Sequence, residues 1–199
     1  MLERTRVPGA KIQERIRASK PKPDSSPRKR IQTQLKPKSV LFGFLLYPEE
    51  PMIRVSNYLS EKSVRFFPAE TSRQQVLETL ANSLELPNPE AALKAIWARE
   101  ETGATVIGPG LAIPHARLTG LSGIVAAVGI CPTGVAHPSE GNLHLFVLFL
   151  SPQEKMHDHL VFLAALSSLL QVEGLTDSLL SLSSAAEVLE KIREAERNL

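Results

Sequence analysis

The stretch "VIGPGLAIPHARL", residues 106–118, is where the chain stops reading as helix and starts reading as strand. Gly108 and Gly110 open a short apolar run, Leu111 to Ile113, and Pro114 sets His115 directly behind it. Two readings of that histidine stand at this point. Leu111 and Ile113 can be strand core, with Pro114 an edge-strand stop and His115 an exposed loop residue. Alternatively, the one side chain that titrates near neutral pH has been placed in a constrained setting for its chemistry. The rest of the chain has to separate the two.

Upstream, "ETSRQQVLETLANSLEL" carries Val76, Leu77, Leu80 and Leu84 at helical spacing behind Thr71 and Ser72, either of which can cap the first turn. A second helix is predicted in "NPEAALKAIWAREETG", with Asn88 as cap, Pro89 at the first helical position and Gly103 as terminator. Its expected buried stripe is Leu93, Ile96 and Trp97, and Arg99 falls in its last turns. Downstream the period changes. "GLAI", "GIVAAVGIC" and "LHLFVLFL" are runs rich in branched residues and bounded by Gly or Pro, as strands buried on both faces would be. Helix then returns: "DHLVFLAALSSLLQ" is expected to bury Leu160, Leu163, Ala164 and Leu170, and "SAAEVLEKIREAE" opens with the capping-box spacing Ser184 to Glu187. These elements predict a single α/β domain over residues 52–199, a mixed central sheet flanked by helices.

Charge marks the other boundary. The 199 residues hold 23 Lys/Arg and 21 Asp/Glu, but residues 1–51 alone hold 12 and 5, which leaves 11 against 16 for the remainder. The first part, with "RASKPKPDSSPRKRIQTQLKPK", is rich in Pro, Lys, Arg and Ser without an apolar period, and is expected to be a disordered basic extension. Met52 stands where the pattern begins, so a start site there is one reading of the boundary. The basic residues have no interleaved aromatics and no groove-entering motif, which excludes a specific nucleic-acid reader. "VLFGFLLY", residues 40–47, is too short to span a bilayer and lies too far from the terminus for a usual signal peptide, so the expectation is a cytoplasmic protein without membrane insertion. The single cysteine, Cys131, excludes a disulfide framework and reads as a small buried hydrophobe. Gly108 and Gly110 lack the following Gly-Lys-Ser/Thr of a phosphate-binding loop, which argues against ATP as a phosphoryl donor.

Five histidines remain. His137 and His144 read as turn and strand-edge residues. His157 and His159 flank Asp158, but zinc wants three or four ligands of defined spacing and no third is assured, so no metal and no cofactor are expected. The more economical idea brings His115 and His159 together at the ends of neighbouring strands, where each imidazolium would disfavour the other and keep His115 neutral and nucleophilic. Arg99 could add a planar fork of donors matched to phosphoryl oxygens, or simply be a solvated cation at a helix C-terminus.

"AREETGATVIGPGLAIPHARL" with "LFLSPQEKMHDHLVFLAALSSLL" resembles the enzyme IIA type 2 domain of bacterial phosphoenolpyruvate-dependent phosphotransferase systems, the fructose, mannitol and nitrogen-regulatory group, over about residues 54–196. The resemblance implies that His115, in the G-x-A-I-P-H element, accepts a phosphoryl group from the histidine-containing phosphocarrier protein and passes it onward. It places the family's supporting arginine on Arg99 and its second active-site histidine, seven residues past a proline, on His159. His157 receives no role. Two departures stand out: many members read T-G-I-G where this chain has Thr105-Val106-Ile107-Gly108, and "VAHPSEGNLHL" replaces a more Asp-rich turn. The resemblance supports either a phosphoryl relay to a sugar-specific IIB domain or a regulatory module whose His115 phosphorylation switches binding to a target protein. An α/β binding domain that is never phosphorylated is the bland alternative.

Overall fold

The structure, a computed structural model, describes residues 53–103 and 105–199. The expected basic extension, residues 1–51, lies outside the described residues. Two 3-10 turns, Val55–Tyr58 and Glu61–Ser63, lead into β1 (Val64–Phe66), α1 (Arg73–Asn82) and α2 (Pro89–Glu101). Strands β2 (Val106–Gly108), β3 (Leu111–Ala112), β4 (His115–Leu118), β5 (Val125–His137) and β6 (Gly141–Pro152) follow, and α3 (Met156–Leu170), α4 (Leu175–Leu180) and α5 (Ala185–Arg197) complete the order.

The helices start where local chemistry satisfies their first amides. Ser72 accepts from the Gln75 amide, which selects it over Thr71 as the cap of α1. Asn88 accepts from the Ala91 amide ahead of Pro89, and Ser184 from the Glu187 amide. In α2 the fully buried side chains are Ala92 and Ile96, whereas Leu93 and Trp97 are half-buried, Trp97 lying beneath the Arg73 guanidinium at 4.9 Å.

The sheet runs β1-β5-β6-β3-β2, with β4 also beside β6. β1 is parallel to β5, β5 antiparallel to β6, β3 and β4 parallel to β6, and β2 antiparallel to β3, so the sheet is mixed as expected. Alternation along β6 explains its unbroken apolar run: Leu145, Val147 and Phe149 face one core under α3, α4 and α5, while Phe146, Leu148 and Leu150 face a second under α1 and α2. Cys131 is buried in that second core, and burial pushes its thiol up to about 12.

The decisive stretch folds in a way the sequence did not suggest. Pro109–Gly110 forms a two-residue turn between β2 and β3, with Gly110 at φ +73°. Leu111 pairs with Leu145 and His115 with Phe149, so the chain keeps one register against β6 on both sides of Pro114. Pro114 interrupts the ladder because it has no amide hydrogen, yet its carbonyl accepts from the Phe149 amide at 3.0 Å. His115 is therefore a strand residue, 8% exposed, and not an exposed loop residue behind a strand stop. Val106 sits in β2 without a positive φ, so a strand conformation takes up the departure from T-G-I-G. Among the described residues no helix is long and apolar enough to cross a membrane.

Candidate active site

His115 and His159 meet across the interface between β4 and α3. Strand alternation puts His115 on the same side as Ile113, facing the helices of the first core, and α3 delivers His159 from its first turn. The ring centroids are 5.4 Å apart. Phe149 completes a three-ring cluster with them, stacked on His115 at 5.3 Å and 15° and lying 5.1 Å from His159. The meeting rests on a strand and a helix, where sequence reasoning expected the ends of neighbouring strands.

The buried stripe of α3 is His159, Phe162, Leu166, Leu169 and Leu170. This corrects the expected one: Ala164 and Leu160 are exposed, Leu160 at 56%, and Leu163 is half-buried. The physical reason is that a histidine occupies a core position, which rotates the helix relative to a purely apolar reading. Leu160 is left at the mouth of the site.

Each imidazole is held through Nδ1. His115 Nδ1 lies 2.7 Å from the Ile113 carbonyl, which can only accept, so Nδ1 carries the proton and Nε2 keeps a free lone pair. His159 Nδ1 lies 2.7 Å from the hydroxyl of Ser151, a fully buried residue. Burial lowers the His115 pKa, and Arg99 adds to the shift, against the opposing hydrogen bond to Ile113. Burial, then His115, Arg117 and Arg99, bring His159 down to about 4. Both rings are neutral near pH 7.

Arg99, in the last turn of α2, lines the same cavity of about 390 Å³ as His115, Arg117, Gln153, His159 and Leu160. Its Nη1 donates to the Gly103 carbonyl at 2.9 Å and to the Thr102 hydroxyl at 3.3 Å, so the guanidinium closes its own helix C-terminus while standing at the rim of the cavity. The cavity thus combines one bare imidazole nitrogen, a second imidazole and two guanidinium groups. That set suits a nucleophile attacking an electrophile whose oxygens carry negative charge.

Sequence reasoning missed three contributors. Arg117 stands two residues after His115, and the period of two in a strand was the available signal. Ser151 closes the apolar run of β6 as its one hydroxyl, a weak signal. Glu100 is half-buried at the end of α2, where it accepts from Arg73 at 3.1 Å and from the Thr105 hydroxyl. The Thr105 carbonyl in turn accepts from the Ile113 amide at 2.9 Å, which ties α1 and α2 to the residue that holds His115.

The other histidines stand apart. His157 is exposed, and His144 donates from Nδ1 to the Cys131 carbonyl at 3.2 Å while its ring fills the space over Gly134, at the register shift of β5. Among the described residues no three His, Cys, Asp or Glu side chains gather as metal ligands.

Residues 57–195 match the family described as phosphoenolpyruvate-dependent sugar phosphotransferase system, EIIA 2. A nitrogen regulatory protein of Pseudomonas aeruginosa is 32% identical over 127 residues, covering 61% of this chain and 82% of that protein. The fructose-specific EIIABC component of Bacillus subtilis is 25% identical over 151 residues, covering 73% of this chain but 24% of that longer protein. In fold, the crystal structure of nitrogen regulatory protein IIA-Ntr from Neisseria meningitidis superposes with a TM-score of 0.63 at 24% identity, over 69% of this chain and 98% of that one.

Proposed function

The chain belongs to the EIIA type 2 family of the phosphoenolpyruvate-dependent sugar phosphotransferase system, and on that premise we propose that it carries a phosphoryl group on Nε2 of His115. The observation that carries this reading is the 2.7 Å contact of Nδ1 with the Ile113 carbonyl, which leaves the opposite nitrogen bare in a cavity shared with His159, Arg99 and Arg117.

The donor is the histidine-containing phosphocarrier protein. The Nε2 lone pair attacks phosphorus while the donor's phosphorus–nitrogen bond breaks, and its electron pair returns to the donor's ring. No proton has to leave His115. Its ring becomes cationic as the new bond forms, and the Ile113 carbonyl accepts the Nδ1 proton throughout. Pairing of β4 with β6, and the stacking on Phe149, fix the ring before the donor arrives, so alignment is built in. His159, Arg99 and Arg117 stabilise charge on the transferring oxygens. For Arg99 this requires the guanidinium to leave the Gly103 carbonyl for the phosphoryl group.

Onward transfer runs the same chemistry in reverse, to a cysteine or histidine of a IIB component, in the cytoplasm. The working unit is the domain from residue 52 to 199. A second reading draws on the match that spans 82% of a nitrogen regulatory protein: His115 phosphorylation replaces a neutral buried imidazole by a ring bearing an anionic phosphoryl group and switches affinity for a target protein. Phosphoenolpyruvate and the general phosphotransferase proteins, followed by candidate IIB domains, separate the two. Label that moves on supports the relay, and label retained until hydrolysis supports the switch. An unlabelled protein refutes both.

A further inference from the structure

Ser151 is fully buried at the end of β6, and alternation along that strand points it, like Phe149, toward α3. Its Oγ lies 2.7 Å from His159 Nδ1, and no other partner of that hydroxyl is found among the described residues. A buried hydroxyl that gives its proton to nothing is costly, and Nδ1 is the acceptor within reach. Donation in that direction places the ring proton on Nε2, the nitrogen that faces the cavity.

We propose that Ser151 is a positioning residue that holds His159 in its Nε2–H form and so aims a neutral donor at the phosphoryl group on His115. The two rings then carry opposite tautomers. Ile113, an acceptor, makes His115 Nε2 a nucleophile; Ser151, a donor, makes His159 Nε2–H a hydrogen-bond donor. With the other tautomer, His159 would present a lone pair to an anionic group. The inference rests on the phosphoryl-carrier reading for its purpose, but the tautomer is a property of the unphosphorylated protein.

The experiment compares the full chain with Ser151→Ala and Ser151→Thr, the latter keeping the hydroxyl on a β-branched residue suited to a strand. Histidine nitrogen spectra of the 15N-labelled proteins read the His159 tautomer. Single-turnover transfer from the phosphorylated carrier reads the rate and the half-saturating carrier concentration. Expected are Nε2–H in the wild type, loss of that single tautomer in Ser151→Ala with a maximal rate lower by about tenfold, and recovery of both in Ser151→Thr. The half-saturating concentration stays unchanged, because a fully buried residue touches no partner. An Nδ1–H signal in the wild type, or a Ser151→Ala protein with unaltered tautomer and rate, overturns the proposal. If Ser151→Ala does not fold, failure of Ser151→Thr to keep the wild-type tautomer and rate does so. A wild type with Nε2–H that takes no label refutes the phosphoryl-carrier reading instead, so the two failures are told apart.

Discussion

Acid should weaken this fold through His159 before the carboxylates titrate. The imidazole has an ordinary value of 6.5 and is brought to about 4 in the folded chain by burial and by His115, Arg117 and Arg99. Between those values the unfolded chain holds a proton that the folded chain refuses, so stability rises with pH across the window. The contribution is complete above about 6.5 and is lost progressively as pH falls toward about 4. Integrating the linkage relation from pH 7 to pH 5 gives a loss of about 2 kcal/mol from this one group. His115, shifted in the same direction, adds to the total. Urea unfolding of the wild type and of His159→Gln at the two pH values reads the His159 share together with its coupling to His115, the titrations of the other groups being common to both proteins. The wild type should lose about 2 kcal/mol more than the variant. Equal losses would show that His159 is not desolvated, and the packed His115–Phe149–His159 arrangement would have to be abandoned.

Arg99→Lys keeps the charge but loses the planar two-point geometry, and should slow phosphoryl transfer by about tenfold, with Arg99→Ala slower by about a hundredfold; wild-type rates in single-turnover labelling would return Arg99 to the role of a helix terminator. Phe162 is fully buried and packs on both Phe149, at 4.9 Å, and Tyr58, at 5.1 Å, so Phe162→Ala should cost about 3–5 kcal/mol in urea unfolding. A chain beginning at Met52 should unfold in one cooperative thermal transition, since all of the core-forming side chains described lie beyond it; loss of that transition would show that residues 1–51 are needed for folding.

Where burial is two-sided, the sequence was readable. Ala126–Cys131 of β5 and Leu145–Leu150 of β6 are buried along their whole length because both faces meet helices, although β5 continues through Pro132 and Gly134 to His137, past the point where a run bounded by Gly or Pro would end. Capping was equally plain, since Ser72, Asn88 and Ser184 announce helices by their own side-chain chemistry. What misled was polarity in a core position. His159 lies on the buried stripe of α3, so a search for apolar periodicity passed over it and selected the exposed Leu160 instead. Pro114 misled in the same way. It reads as a strand stop, yet β4 resumes in register because β6 continues to offer its edge, a long-range fact with no local signal. The proximity of His115 and His159 follows from the chemistry the sequence offers, whereas Ser151 and Glu100 acquire meaning only from the residues packed against them. The conformation of Arg99, folded on Gly103, depends on a rotamer that no pattern encodes.

The central claim is that Nε2 of His115 is the phosphoryl acceptor, and phosphorus–nitrogen coupling in 15N-histidine-labelled protein tests it at the atom. After incubation with phosphoenolpyruvate and the general phosphotransferase proteins, the coupling should appear on Nε2 of His115. The label should hydrolyse in mild acid and survive base, as a nitrogen–phosphorus bond does, and His115→Ala should take none. Coupling on Nδ1 or on His159, an acid-stable label, or label persisting in His115→Ala would contradict the claim.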